Sequence, residues 1–113
     1  PLSGVSARRV ENRIAGMDCN PYLGIAASLA CGYLGLIEEN RPSKQFKGDA
    51  YAADEDIPRV MGDALDLFDN AKALHDVLGE DFARVYSIVK RAEYDEFLQV
   101  ISPWEREHLL LNV

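Results

Sequence analysis

The chain has 113 residues, enough for one compact domain and too few for two. Its apolar content of 48% is ordinary for a globular protein; no apolar run is long enough to span a bilayer and no signal-peptide pattern opens it, which excludes a membrane protein and points to the cytoplasm. The net charge of −7 is segregated, with +2 over residues 1–16 and −9 over the rest; an acidic body argues against nucleic acid, whereas a small basic patch suits a compact anionic ligand such as a nucleotide phosphate.

The first element in chain order is a strand over residues 7–14. Arg9, Glu11 and Arg13 alternate with Val10, Asn12 and Ile14, and alternate side chains of a strand point to opposite faces. One face then carries cation, carboxylate, cation at intervals of about 6.6 Å. Such a row can set one metal-binding carboxylate between two guanidiniums that clasp phosphate oxygens. It can equally be a solvated ion-pair ladder worth about 0–1 kcal/mol per pair. Arg8 falls on the opposite face and reads as peripheral.

Gly16 and Asp18 mark a turn. Asn20 is a strong N-cap residue and Pro21 suits the first helical position, so a helix is expected over residues 20–38. It is apolar and rich in small residues; Gly24, Gly32 and Gly35 cost it about 1 kcal/mol each relative to Ala. An isolated helix of this kind is marginal, and it should be buried against a sheet. Cys19 and Cys31 have no metal-ligand spacing and read as buried thiols of a reducing compartment rather than a disulfide.

With the run Arg8-Arg9-Val10-Glu11-Asn12-Arg13, a short turn, and Asn20-Pro21-Tyr22-Leu23 opening an apolar helix, the chain resembles the C-terminal catalytic segment of the glutamine synthetase family. The ending, Ser102-Pro103-Trp104-Glu105-Arg106-Glu107-His108-Leu109-Leu110-Leu111-Asn112-Val113, resembles that of the γ-glutamylpolyamine synthetase-like branch. The likeness covers residues 1–113 but only about the last quarter of a family member, and a start at Pro1 likewise reads as a piece of a longer protein. It implies an ATP-dependent ligase that forms a γ-glutamyl amide from glutamate and ammonia or an amine through γ-glutamyl phosphate. By resemblance Glu11 is a metal ligand for Mg2+ or Mn2+, Arg9 contacts the nucleotide phosphates, and Arg13 lies by the transferring phosphoryl group and the glutamate. Ser6 departs from a lysine that several members carry two residues before the arginine pair, which puts one nucleotide contact in doubt.

Residues 40–60 carry Pro42, Gly48 and Pro58 without a sustained period, and read as a long loop. Tyr51 within it matches by resemblance a tyrosine that some bacterial members adenylylate, although the surrounding residues differ and an ordinary anchoring aromatic is the simpler reading. Helical spacing runs from Gly62 to Leu78, Gly79 punctuates, and a second helix spans about residues 80–101, giving an antiparallel hairpin. His75 reads as a surface histidine. Ser102-Pro103 stops the hairpin, and Trp104, Leu109, Leu110, Leu111 and Val113 then place apolar surface at a terminus. That tail must be covered, either by the hairpin or by another subunit; in the family it helps join stacked rings of a homo-oligomer.

The fold class expected is mainly α, with one N-terminal strand, a buried helix, a helical hairpin and an apolar tail, as part of an α+β catalytic domain. By the same resemblance the other metal-binding carboxylates lie upstream of Pro1 in family members, so the chain alone should be inactive. The rival class is a non-catalytic helical interaction module working through its apolar tail, and a non-catalytic relative such as a lens homologue is a third possibility.

Overall fold

A computed structural model describes residues 4–44, 46–49 and 57–110, and it separates into two compact units, residues 1–41 and 42–113. In the first unit, a single 3-10 turn, Val5–Ala7, leads into residues 8–14, which run without helix or ladder. The bond from Cys19 N to Gly16 O, 3.3 Å, closes the turn that follows. Helix α1 then spans Pro21–Ile37.

Both ends of α1 are written in its local sequence. Asn20 Oδ1 accepts from the backbone N–H groups of Tyr22 and Leu23 at 3.0 and 3.4 Å, and Pro21 fills the first position, where a missing donor costs nothing. At the other end Asn40 N donates to Gly35 O and Glu39 N to Leu36 O, a Schellman closure that needs a left-handed residue between them. Glu39 supplies it, at φ 53°.

The second unit is helical: α2 (Met61–Asp69), α3 (Lys72–Leu78), α4 (Glu80–Leu98) and α5 (Pro103–His108). Helices α2 and α3 both pack on α4. Gly62 faces Tyr94, Asp66 faces Arg91, and Phe68 meets Tyr86 edge-on at 5.5 Å. Residue numbers rise along α2 as they fall along α4, so the packing is antiparallel, as the sequence implied. Leu65 and Ala83 are buried at the contact, with Ser87 beside them.

The mainly α class stands, and several of its details differ. The strand over residues 7–14 is absent among the described residues, because a strand exists only as a member of a ladder and these residues have no ladder partner. Helix α1 is built as expected but is not buried. Ala30 is its one buried residue, and Ile25 and Leu29 are 61% and 68% exposed. Apolar surface of that extent needs a second layer to cover it. Cys19 and Cys31 are free but exposed rather than buried.

The helix expected over residues 62–78 is broken in two. Asn70 Nδ2 donates to Asp66 O at 2.7 Å, and Ala71 leaves the helical region at ψ 63°. His75 is half-buried across this break. Its Nε2–H donates to Phe68 O at 2.7 Å and its ring lies 5.0 Å from that of Phe68, so the surface reading of this histidine is corrected. Helix α5 is additional to the expected elements; Ser102 and Glu105 form a reciprocal capping box at its start.

No helix among the described residues is long and apolar enough to cross a membrane. Tyr51 and the terminal residues Leu111, Asn112 and Val113 lie outside the described residues. The preceding part of the tail is exposed, with Trp104 and Leu110 at 60% and 65%.

Candidate functional site

The expected site lies in residues 9–13, ahead of α1. Glu11 and Arg13 are brought together: Arg13 Nε donates to Glu11 Oε1 at 3.0 Å, and both side chains remain open to solvent. Glu11 and Arg13 therefore lie on the same side of the segment, as the alternation implied, without a ladder. Arg9 is not drawn in; it is exposed and makes no ion pair among the described residues.

The residue between the charged pair goes the other way. Asn12 Nδ2 donates to Ser28 Oγ on α1 at 2.8 Å, and Ser28 Oγ in turn donates to Gly24 O at 2.8 Å. Asn12 Oδ1 accepts from Ile14 N at 3.0 Å, a tight local turn that fixes the amide. The segment is thus tied to α1 through Asn12 while its carboxylate and guanidinium stand clear. Asn12, Ala15 and Cys19 on one side, and Pro21, Gly24, Ile25, Ser28 and Leu29 on the other, line an open cavity of about 320 Å3. The signal for Asn12 in the sequence is its alternation with Glu11 and Arg13.

Whether these residues suit a metal turns on donor chemistry. Glu11 offers hard carboxylate oxygens, the donors Mg2+ and Mn2+ prefer, and Arg13 engages only one of them. The fit is that of one ligand among several. No cluster of three or more His, Cys, Asp or Glu side chains able to hold a metal occurs among the described residues.

The deciding observation is a family match. A model described as glutamine synthetase, catalytic domain, matches residues 1–109. The chain belongs to the glutamine synthetase family. Among curated relatives, a glutamine synthetase of Halobacterium salinarum is 34% identical over 96% of this chain and 26% of its own length. A glutamate–isopropylamine ligase of a Pseudomonas species is 33% identical over 91% of this chain and 23% of its own length. A γ-glutamylethanolamide synthetase of Streptomyces coelicolor is 32% identical over 86% and 21%. The chain therefore spans about a quarter of the length of the curated relatives it matches. No solved structure gives a significant match.

Proposed function

We propose that residues 1–113 are the C-terminal portion of the catalytic domain of an ATP-dependent ligase that joins ammonia or an amine to the γ-carboxylate of glutamate. Phosphoryl transfer from ATP turns that carboxylate into γ-glutamyl phosphate; the amine then attacks the acyl carbon and phosphate leaves, giving the amide. The observation that carries this reading is the family match running through a segment whose Glu11 and Arg13 are paired and solvent-facing.

The roles are those the family resemblance implies, and each suits the charge of its residue. Arg9 reaches the nucleotide phosphates, where a guanidinium makes bidentate contacts. Arg13 stands by the transferring phosphoryl group and the glutamate, and offsets the negative charge that accumulates on its oxygens. Glu11 contributes one oxygen to a Mg2+ or Mn2+ site completed by residues outside this chain. The metal, when bound, neutralises phosphate oxygens and orients the nucleotide.

The acceptor is ammonia or an amine, since relatives named for isopropylamine and ethanolamide products stand beside glutamine synthetases; the polyamine branch rests on the likeness of the ending alone. The family resemblance supports a cytoplasmic homo-oligomer of stacked rings joined by the C-terminal tail. The exposed Trp104 and Leu110 favour that docking, and equally a second reading, a non-catalytic helical interaction module. Titrating Mg·ATP into the complete protein and into a form lacking the tail separates the two. The ligase reading expects saturable nucleotide binding in the complete protein; no binding in either form would leave only the interaction module. The chain alone should turn over no ATP, because one carboxylate cannot complete the near-octahedral oxygen shell of Mg2+. Metal-dependent turnover by the pure chain, abolished by Glu11→Ala, would overturn that.

A further inference from the structure

The amide at position 12 has a purpose the charged residues beside it do not explain. We infer that Asn12 is a positioning residue, which through Ser28 sets the rotational phase of residues 9–13 on α1 so that Glu11 and Arg13 face the reactants; the inference rests on the metal-ligand reading of Glu11.

The geometry is specific. A segment outside any ladder can rotate about its own axis, and a turn of half a revolution would exchange the side that carries Glu11 for the side that carries Asn12. Three hydrogen bonds oppose that rotation. Asn12 uses its amide N–H on Ser28 Oγ and its amide oxygen on Ile14 N, so both ends of the side chain are fixed. Ser28 uses its own proton on Gly24 O, within a helix whose start is held by Asn20 and Pro21. The reference frame is therefore α1, and the link is polar, directional and specific to an amide facing a hydroxyl. An aliphatic pair at these two positions would hold the segment against the helix without fixing its phase.

In the complete enzyme, Asn12→Ala and Ser28→Ala are compared with wild type by Mn2+ titration followed by electron paramagnetic resonance, by kcat, and by melting temperature. Partners that orient a metal ligand typically matter about 10-fold to 100-fold in metal affinity or activity. Each variant should weaken Mn2+ binding about tenfold and lower kcat by a similar factor. The double variant should be no worse than either single one, because both remove the same bond. Ser28→Thr, which keeps the hydroxyl, should bind Mn2+ as wild type does. If Asn12→Ala does not fold, Ser28→Ala decides alone, since alanine suits an exposed helical position. Lowered melting temperature with unchanged Mn2+ binding, or fully additive losses, overturns the inference. Glu11→Ala is the control: if it binds Mn2+ and turns over normally, the ligand reading of Glu11 fails and positioning fails with it. If Glu11→Ala is impaired while both other variants are normal, positioning alone is overturned.

Discussion

Arg13 Nε lies 3.0 Å from Glu11 Oε1, and the residue between them, Asn12, bonds in the opposite direction to Ser28 on α1. A three-residue stretch therefore sorts its side chains into a solvent-facing ionic pair and a helix-facing anchor before any sheet surrounds it. In the proposed ligase, this sorting lets a short segment deliver charge to a reaction centre built largely by other polypeptide.

The second unit is expected to lose stability in acid through Asp69. Hydrogen bonds from Ser87, and then from Arg91, hold its carboxyl below the ordinary value of 3.8. A lowered folded-state value means that this stabilisation is fully present above the ordinary value and is lost as pH falls through the lowered one. Arg91 also reaches Asp66 at 2.7 Å, so it clamps two carboxylates of α2 onto α4. Melting temperatures of wild type and Arg91→Ala, measured from neutral pH down to about pH 2, the acid end of such a carboxylate transition, should differ most at neutral pH and converge in acid. A constant difference would contradict the assignment.

Leu65 is 4% exposed at the α2–α4 contact and is the largest of the three buried apolar residues among those described. Leu65→Ala should cost about 3 kcal/mol through lost transfer energy and an unfilled cavity. Since total stability of a domain this size is only a few times larger, the melting temperature of the variant followed by circular dichroism should fall by about 10 °C or more. A loss under about 1 kcal/mol would show that the site collapses around the deletion.

Glu39 occupies the left-handed position of the Schellman closure of α1 at φ 53°, where a side chain costs about 1–2 kcal/mol relative to the right-handed region. Glycine removes that strain but loses more backbone entropy on folding. Glu39→Gly should therefore stabilise the chain by about 0.5–1 kcal/mol in denaturant unfolding, and destabilisation would indicate that the left-handed turn is not kept in solution.

Much of the fold was legible because its signals are local. Asn20-Pro21 announced α1 to within a residue, and Gly79 marked the start of α4, where it takes φ 98°. The break between α2 and α3 was not legible, because apolar spacing continues across it. It is made by Asn70 capturing the Asp66 carbonyl and is stabilised by Arg91, more than twenty residues away. The strand over residues 7–14 failed for a related reason: its ladder needs partners that sequence periodicity cannot supply. Within the site, the shared face of Glu11 and Arg13 could be read from alternation, whereas the role of Asn12 depended on knowing which helix residue stood opposite.

The claim on which the account depends is that Glu11 serves the metal-dependent chemistry of an ATP-dependent ligase. The most direct measurement is phosphate release by the complete enzyme supplied with glutamate, ATP, ammonia and Mg2+, comparing wild type with Glu11→Ala at matched melting temperature. The account predicts a fall in kcat of at least about a hundredfold, the scale of losing a group that stabilises transition-state charge. Wild-type turnover by a folded Glu11→Ala enzyme would contradict it.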